Sequence, residues 1–491
     1  MYSHGVVAGF AEPHHETTEL LSKGIPMTLH EDFFGRRREQ EVLNQAFRSN
    51  RSEFIPVYGR RRVGKSTLIL EFLEKRTGIY HVGKRAPEAM QIHEFLQCAA
   101  SALNEPLLGS FPATDWKAAL TAVVERWKRK EKLIIVLDEF QWTVEYSIGL
   151  PSILQELWDR DWRKRGNVFL ILCGSYIGFM EREVLGHKSP LFGRRTSQML
   201  VKPFGYQESA EFHPNYSLEE RAKAYFVCGG IPLYLKQFRQ DRSVEQNIAE
   251  NLLTEFSPLF SEPDFLLREE FREVEKYYAI LLAVATGHTT THAMSQFTGV
   301  GERSLHYYIE TLTDLGYLTR RYPLHDEKPA ARHVRFALED PLLRFWFRFV
   351  YPNTSFILQR GPQRAFQEII QPELDSYFGS CFERFCREAL PHLYEREKLT
   401  TSFAVGEYWD KTTQIDVVGL RDDNWTDLGE CKWGTIKSVK DLEAEISSKV
   451  VNYPNRRDAT ICRRAFTRTP VAPSRRRDSN IIWHSLRDLY E

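Results

Sequence analysis

The stretch FIPVYGRRRVGKS, residues 54–66, decides the fold of the first part of this chain. Five residues of strand-like composition end at Gly59, a second glycine follows at Gly64, and Lys65 and Ser66 open an apolar, helix-like run. Glycines at this spacing let backbone N–H groups turn inward around an anion, and the helix N-terminus adds its positive dipole. A strand, a glycine-rich loop and a helix in this order predict a phosphate-binding loop in an α/β domain.

The loop residues are predicted to bind the phosphates of ATP. Lys65 is placed to reach the β- and γ-phosphates, and the hydroxyl of Ser66 is placed to ligate Mg²⁺. The predicted cofactors are therefore ATP and Mg²⁺. The residues predicted to contact the nucleotide in this loop are Gly59, Arg60, Arg61, Arg62, Val63, Gly64, Lys65, Ser66 and Thr67.

Two further apolar runs end in residues suited to the same site. The run LIIVL at 133–137 is followed by Asp138 and Glu139, as expected for a buried strand whose tip presents carboxylates to the phosphate loop. Asp138 is predicted to hold Mg²⁺ through its water shell, and Glu139 to polarise the attacking water. The run at 168–173 leads to Ser175, which is predicted to contact the γ-phosphate or water; the alternative is that Ser175 caps the next helix.

Length and composition bound the class of protein. A chain of 491 residues predicts about three domains, and 66 basic residues balance 66 acidic ones, so no global charge indicates a nucleic-acid partner. The seven cysteines are scattered, which argues against a disulfide framework or a zinc ribbon and favours the cytoplasm. No apolar run approaches the roughly 20 residues that span a bilayer, and no signal peptide is evident, so no membrane partner is expected.

Alternation of strand-like and helix-like runs predicts the domain organisation. Up to about residue 205 this alternation is typical of a parallel sheet with crossover helices, and a mainly helical region follows. The predicted parts are a poorly ordered lead-in at 1–27, a P-loop ATPase core at 28–205, a helical lid at 206–272, a winged helix at 273–350, a linker at 351–369 and a second α/β domain at 370–491.

The middle of the chain has the outline of a winged helix-turn-helix. Residues 292–306 predict a helix, a glycine-containing turn and a second helix, and strand-like pieces at 316–321 and 333–337 flank a polar turn. Arg303 stands on the second helix and two arginines stand in the predicted wing. Two functions remain open for this part, contact with DNA and packing against protein.

Six short motifs occur in a fixed order along the first half of the chain. They are FGRRRE at 34–39, YGRRRVGKS at 58–66, LDEF at 137–140, CGSYI at 173–177, PLFGR at 190–194 and GGIP at 229–232. In this order they resemble the archaeal-type ATPase family of the AAA+/STAND group, over about residues 30 to 350.

That resemblance implies further roles. Gly35 and Arg36 would lie near the adenine pocket, and residues 229–232 would be the nucleotide-sensing element of the lid. Arg194 would be an arginine finger, with its neighbour Arg195 as the alternative. A finger acts on an adjacent subunit or on its own subunit after closure, so a homo-oligomer is one possible partner.

A second constellation lies near the C-terminus. Residues 414–420 and 428–433 predict two strands joined by a hairpin, which brings Asp416 near Glu430. Alternation along the second strand puts Glu430 and Lys432 on one face. Two carboxylates and a lysine suit metal-assisted phosphodiester cleavage, with Mg²⁺ or Mn²⁺ on the carboxylates and the lysine orienting water or stabilising charge.

The same region, about residues 370–491, resembles the PD-(D/E)XK nuclease-like domain that commonly follows these ATPases. The resemblance implies that Glu383, on the preceding helix, is an additional metal ligand. The sequence departs from the family pattern at Gln414, where an acidic residue is expected, and it lacks a clear glutamine-containing helix motif downstream. The tail at 456–477 holds eight arginines against Asp458 and is either a phosphate-backbone patch or a solvated surface.

Two functions from different classes follow. The first is an ATP-hydrolysing, AAA+-like protein coupled to a metal-dependent DNA nuclease-like domain, in which Glu139, Arg194, Asp416, Glu430 and Lys432 are the catalytic residues. The alternative is an ATP-dependent regulatory switch that binds DNA or protein and has an inactive nuclease-like domain.

Overall fold

The computed structural model describes residues 33–271, 273–325, 334–455, 457–476, 478 and 480–491. The predicted lead-in at 1–27 lies outside these residues. Contacts divide the chain into two units, Met1–Lys202 and Pro203–Glu491, and each is described by itself. Within the described ranges, no helix is both long enough and apolar enough to cross a bilayer.

The first unit is built on a five-stranded parallel sheet in the order β2-β3-β4-β1-β5. Its strands are β1 Glu53–Tyr58, β2 Gly78–Val82, β3 Leu133–Asp138, β4 Val168–Gly174 and β5 Met199–Leu200. The three central strands are buried along their whole length, as expected for near-continuous apolar runs in a parallel sheet covered on both faces. The predicted strands β1, β3 and β4 and the predicted parallel pairing are therefore confirmed.

Crossover helices connect these strands. The α-helices of the first unit are α1 Arg37–Arg48, α2 Lys65–Leu73, α3 Glu88–Leu103, α4 Pro106–Gly109, α5 Trp116–Arg126, α6 Phe140–Tyr146, α7 Leu150–Leu157, α8 Arg163–Arg165 and α9 Ile177–Phe179. Single π-helical turns, Trp158–Trp162 and Met180–Leu185, extend α7 and α9. Their apolar faces pack on the sheet around the buried rings of Phe95, Trp116 and Phe140.

The second unit begins with five helices. They are α10 Tyr206–Ala210, α11 Leu218–Cys228, α12 Pro232–Leu235, α13 Val244–Leu252 and α14 Pro258–Glu270. The predicted break between α11 and α12 brings Gly230 against Phe204, whose backbone N–H donates to the Gly230 carbonyl at 2.8 Å. A Cβ atom on Gly230 would lie 1.8 Å from the Phe204 carbonyl oxygen, so only glycine fits this position.

Three helices and a two-stranded antiparallel hairpin follow. They are α15 Val274–Ala285, α16 Thr291–Thr298, α17 Glu302–Asp314, β6 Leu318–Arg321 and β7 Arg335–Leu338. The two arginines of the hairpin face carboxylates of the same chain. Arg321 donates to Glu407 at 2.9 Å, and a terminal nitrogen of Arg320 lies 3.9 Å from Glu310.

The predicted linker at 351–369 is wrong, because this stretch is helical. Gly361 and Pro362 do not interrupt structure; Gly361 caps a helix at φ 79° and Pro362 occupies its first turn, where a missing N–H costs nothing. Ile357 and Phe366 are buried and fix these helices to the unit. The elements between residues 341 and 370 are α18 Pro341–Phe345, α19 Thr354–Arg360, α20 Pro362–Ala365, the π-helical turns Trp346–Val350 and Phe366–Ile370, and the 3₁₀ turn Tyr351–Asn353.

The C-terminal part of the second unit has its own mixed sheet, in the order β12-β11-β10-β9-β8. Strands β8 to β10 form an antiparallel meander, and β10, β11 and β12 are parallel. The predicted α/β character and the predicted hairpin are confirmed. The elements are α21 Gln371–Arg396, β8 Phe403–Trp409, β9 Gln414–Arg421, β10 Trp425–Lys432, α22 Val439–Asn452, β11 Thr460–Thr467, the 3₁₀ turn Pro473–Arg475, β12 Ile481–Ser485 and α23 Leu486–Tyr490.

The arginine-rich tail is not a uniformly solvated basic surface. Arg464 is 1% exposed, and its guanidinium bonds Asp427 at 2.5 Å and Glu397 at 2.6 Å. Arg463 pairs with Asp478 at 2.7 Å. These arginines lie on strand β11, so they neutralise carboxylates of neighbouring elements and are not available for a phosphate backbone.

Candidate functional site

The phosphate loop surrounds the ammonium group of Lys65. Its Nζ donates to the carbonyl oxygens of Gly59 at 3.0 Å and Arg60 at 2.8 Å, and the side chain is buried. Gly64 turns the chain into helix α2 at φ 88°, a left-handed conformation that side chains rarely adopt. The predicted strand, loop and helix thus place a cation and a helix N-terminus at one point.

Ser66 and Asp138 meet at this point. The Ser66 hydroxyl donates to Asp138 Oδ2 at 2.7 Å, and Asp138 is the last residue of strand β3. A hydroxyl and a carboxylate oxygen are the hard ligands that Mg²⁺ takes, so this pair fits the predicted ion. The phenol of Tyr80, on the adjacent strand β2, donates to the same Oδ2.

Glu139 and Ser175 also meet, a contact that the sequence did not predict. Ser175 Oγ donates to Glu139 Oε2 at 2.8 Å, and Gln141 Nε2 donates to the same oxygen. The next helix, α9, has Tyr176 at its N-cap with no side-chain cap, so Ser175 acts on Glu139 and not as a helix cap. Glu139 itself has a left-handed backbone, at φ 48°.

Of the two residues predicted to lie near the adenine pocket, Arg36 contacts the phosphate loop. It is 3% exposed, and its Nη2 donates to the carbonyl of Val63 at 2.7 Å. Its neighbour Gly35 shares the left-handed turn that precedes helix α1. The segment at 229–232 belongs to the other unit.

The predicted arginine finger is engaged away from the loop. Arg194 bonds Asp159 at 2.8 Å and the backbone carbonyls of Pro190 at 2.8 Å and Phe192 at 2.9 Å. Arg195 donates to the Leu185 carbonyl at 3.0 Å. Either arginine must exchange these partners before it can act on a phosphate.

The second constellation forms where strands β9 and β10 separate. Their paired residues run as far as Val417 and Gly429. Beyond that point Asp416 Oδ2 accepts the backbone N–H of Cys431 at 3.0 Å instead of continuing the ladder. Asp416 and Glu430 are 5% and 4% exposed, so two carboxylates are buried at the split.

Two lysines hold Glu430. Lys432 Nζ lies 3.0 Å from Glu430 Oε1, as predicted for neighbours on one face, and Lys449 Nζ lies 2.5 Å from Oε2. Glu445, one turn before Lys449 on helix α22, accepts from both lysines at 3.2 Å. The carboxylate and the two ammonium groups therefore form one ionic cluster.

Crowding of carboxylates changes their protonation. Burial and the charge of Asp416 raise the pKa of Glu383 to about 8. The same two causes raise the pKa of Glu430 to about 7, although Lys449 and Lys432 oppose them. The predicted ligands are therefore close enough to disfavour simultaneous ionisation, which is the condition that a cation relieves.

The fit of a metal to these carboxylates is incomplete. In the described part of the chain, no three His, Cys, Asp or Glu side chains are arranged to hold a metal ion. Both oxygens of Glu430 contact ammonium groups, and Asp416 Oδ2 accepts a backbone N–H. Oxygen ligands suit Mg²⁺ or Mn²⁺, but Glu430 must first turn away from one lysine.

Sequence reasoning missed four residues at these sites. Tyr80 donates to Asp138 and Gln141 to Glu139, near the phosphate loop. In the carboxylate cluster, Lys449 donates to Glu430, and the charge of Glu407 helps to raise the pKa of Glu383. Gln141 carried a sequence signal, since it stands two residues after the predicted base. Lys449 carried none, because its distance from Glu430 depends on how helix α22 crosses the sheet.

Two family models match parts of this chain. Residues 33–238 match the family described as an ATPase domain predominantly from Archaea, so the predicted family of the ATPase part is confirmed. Residues 346–444 match a family described as archaeal and bacterial proteins of unknown function, and the nuclease resemblance therefore stays a prediction.

Individual relatives cover most of the chain. A Walker-type ATPase of Pyrococcus abyssi matches with a TM-score of 0.49 and 21% identity, covering 67% of this chain and 99% of that one. The ORC2 protein of Aeropyrum pernix gives a TM-score of 0.42 and 16% identity, covering 68% and 97%. An uncharacterized protein of Methanocaldococcus jannaschii is 31% identical over 416 residues, which are 84% of this chain and 89% of the relative. This chain, which carries the ATPase domain found predominantly in Archaea, therefore belongs to the same protein family as that Methanocaldococcus relative.

Proposed function

We propose that the chain binds Mg-ATP at residues 59–66 and hydrolyses it. The observation that carries this proposal is the 2.7 Å bond between Ser66 and Asp138, with Glu139 directly following. This bond joins the phosphate loop to the end of strand β3. ATP hydrolysis needs the ion ligands and the catalytic base side by side at this place.

Each residue has a distinct part in the reaction. Backbone N–H groups of the loop and the ammonium of Lys65 neutralise the β- and γ-phosphates. Glu139 accepts the proton of the attacking water. Ser66 and Asp138 would hold Mg²⁺, which when bound neutralises charge on the phosphate oxygens.

The ion ligands give the test of this proposal. Ser66→Ala removes the hydroxyl oxygen of the proposed ion site, so ATP should still bind but Mg²⁺ should tighten binding less than in the wild-type chain. Calorimetric titration with ATP, once in Mg²⁺ and once in EDTA, measures the ATP affinity with and without the ion. An Mg²⁺ dependence equal to wild type would remove Ser66 from the ion site.

We further propose that Arg194 stabilises charge on the γ-phosphate, in its own subunit or in a neighbour. The role requires Arg194 to exchange its bond to Asp159 for the phosphate. Arg194→Ala should lower kcat by about tenfold with little change in ATP affinity. This loss is smaller than for an arginine finger without other partners, because Arg194 must first break its bond to Asp159. Mixing with Lys65→Ala protein should restore activity if the finger acts on a neighbour.

Arg182→Ala is the matched control, since Arg182 is 70% exposed and pairs only with its neighbour Glu183 in the described structure. It should leave kcat unchanged. An unchanged kcat in both Arg194→Ala and Arg195→Ala would end the finger proposal.

A second candidate function is metal-dependent cleavage of DNA by the C-terminal part. The convergence of Asp416, Glu430 and Lys432 at the split between two strands supports it, as does the raised pKa of Glu383. If Glu430 turned away from one of its lysines, Asp416, Glu430 and Glu383 would hold Mg²⁺ or Mn²⁺, which supplies a Lewis acid when bound.

The lysines of the cluster would act on the substrate. Lys432 would place its charge beside the phosphate that is cut, and Arg303 and His306 on the exposed face of helix α17 are the proposed DNA contacts of the middle domain. The purified chain with plasmid DNA and Mg²⁺ or Mn²⁺ tests this function, with and without ATP. If DNA is bound but never cut, the regulatory switch is the better account.

A further inference from the structure

Gln141 lies between the two residues at the hydrolysis site. Its Nε2 donates both to Glu139 Oε2 and, at 3.2 Å, to Ser175 Oγ. Ser175 Oγ in turn donates to the same Oε2 at 2.8 Å. The three side chains form a closed set of hydrogen bonds, and both donors act on one oxygen of the carboxylate.

The other end of the Gln141 amide is costly to bury. The side chain is 6% exposed, and its Oε1 has no hydrogen-bond partner among the residues that the structure describes. A buried acceptor without a donor costs free energy that an apolar side chain of similar size would not. The amide therefore contributes through Nε2, whose two bonds go only to Glu139 and Ser175.

Gly174 makes room for this arrangement. A Cβ atom at Gly174 would lie 3.0 Å from Gln141 Oε1 and 2.6 Å from the sulfur of Met180. The backbone of Glu139 is left-handed, a conformation that a residue with a side chain adopts only where its surroundings enforce it. The direction of the Glu139 side chain thus depends on the contacts that hold its carboxylate.

We propose that Gln141 is a positioning residue for ATP hydrolysis, fixing Glu139 Oε2 together with Ser175 so that Oε1 is the oxygen presented to the attacking water. This inference rests on the proposed hydrolysis at the phosphate loop. A carboxylate that is free to rotate spends less time in the reactive geometry. Loss of the hydrogen bonds to Glu139 Oε2 therefore slows the chemical step without affecting nucleotide binding.

Two variants separate hydrogen bonding from shape. Gln141→Leu removes the donor, and Gln141→Met removes it while keeping the length of the side chain. Both should lower kcat by about tenfold or more while the KM for ATP stays within about twofold of wild type. A purely structural role would instead leave Gln141→Met close to wild type.

Gln91→Leu is the matched control. Gln91 is also buried in the same unit, but its amide bonds only the backbone in the described structure. Its Nε2 donates to the Ala86 carbonyl at 2.9 Å, and its Oε1 accepts the Lys84 N–H at 3.3 Å. This variant should unfold at a lower temperature and keep the wild-type kcat.

A double-mutant cycle tests whether Gln141 and Ser175 act together on Glu139. Gln141→Leu combined with Ser175→Ala should lose less activity than the product of the two single losses, because both act on Glu139 Oε2. If the wild-type chain does not hydrolyse ATP, the proposed function fails. If the wild-type chain is active and Gln141→Leu is at least as active, only the positioning role is overturned. A variant faster than wild type would show that Gln141 restrains Glu139 instead of positioning it.

Discussion

Glu139→Gln should bind ATP as tightly as the wild-type chain and hydrolyse it about 1000-fold more slowly. The carboxamide keeps the shape and the hydrogen-bond acceptor of the side chain, but it cannot accept the proton of the attacking water. Lys65→Ala should instead lose ATP affinity, because its ammonium lies against the loop carbonyls where the phosphates bind. Binding is measured by calorimetry and turnover by phosphate release, separately for each variant.

The matched control is Glu145→Gln, a change of the same chemistry at an exposed position of helix α6. It should behave as wild type in both assays. Turnover by Glu139→Gln at the wild-type rate would show that another group takes the proton. Tight ATP binding by Lys65→Ala would place the nucleotide elsewhere.

Asp416→Asn should lower the rate of metal-dependent DNA cleavage by at least about 100-fold and leave the rate of ATP hydrolysis unchanged. The two sites belong to different units of the chain, so a local change at one does not remove residues from the other. Lys432→Ala should also abolish cleavage but should keep metal binding, because it removes a charge near the substrate and not a ligand. Cleavage is followed on plasmid DNA, and Mn²⁺ binding by calorimetry.

Lys440→Ala serves as the control, since Lys440 is an exposed lysine at the start of helix α22. It should retain cleavage. Metal-dependent cleavage that survives in both Asp416→Asn and Lys432→Ala would come from a contaminant or from another site. Metal binding that does not depend on Asp416 would likewise contradict the proposed ligand set.

The phosphate loop was predictable because its structure is encoded locally. Strand β1, the two glycines and helix α2 are consecutive in sequence, so composition and spacing specify them without knowledge of the rest of the chain. Asp138 was predictable for a related reason: a wholly apolar run that ends in a carboxylate has few other interpretations. The bond from Ser66 to Asp138 then follows from the parallel sheet.

Contacts that depend on packing were not predictable in the same way. Lys449 reaches Glu430 from a helix that begins only after strand β10, and periodicity does not say which turn faces the cluster. The finger role of Arg194 came from resemblance alone, which gives no information on its bond to Asp159. The stretch around Gly361 suggested a loop, because glycine and proline mark helix starts as well as chain breaks.

The central claim is that this chain hydrolyses ATP at residues 59–66. Release of inorganic phosphate from ATP by the purified wild-type chain, with Mg²⁺ and with EDTA, tests it most directly when Lys65→Ala protein is assayed in parallel. We expect release that requires Mg²⁺ and is absent from Lys65→Ala. Equal release by the wild-type chain and Lys65→Ala, or no release by a wild-type chain that binds Mg-ATP, would contradict it.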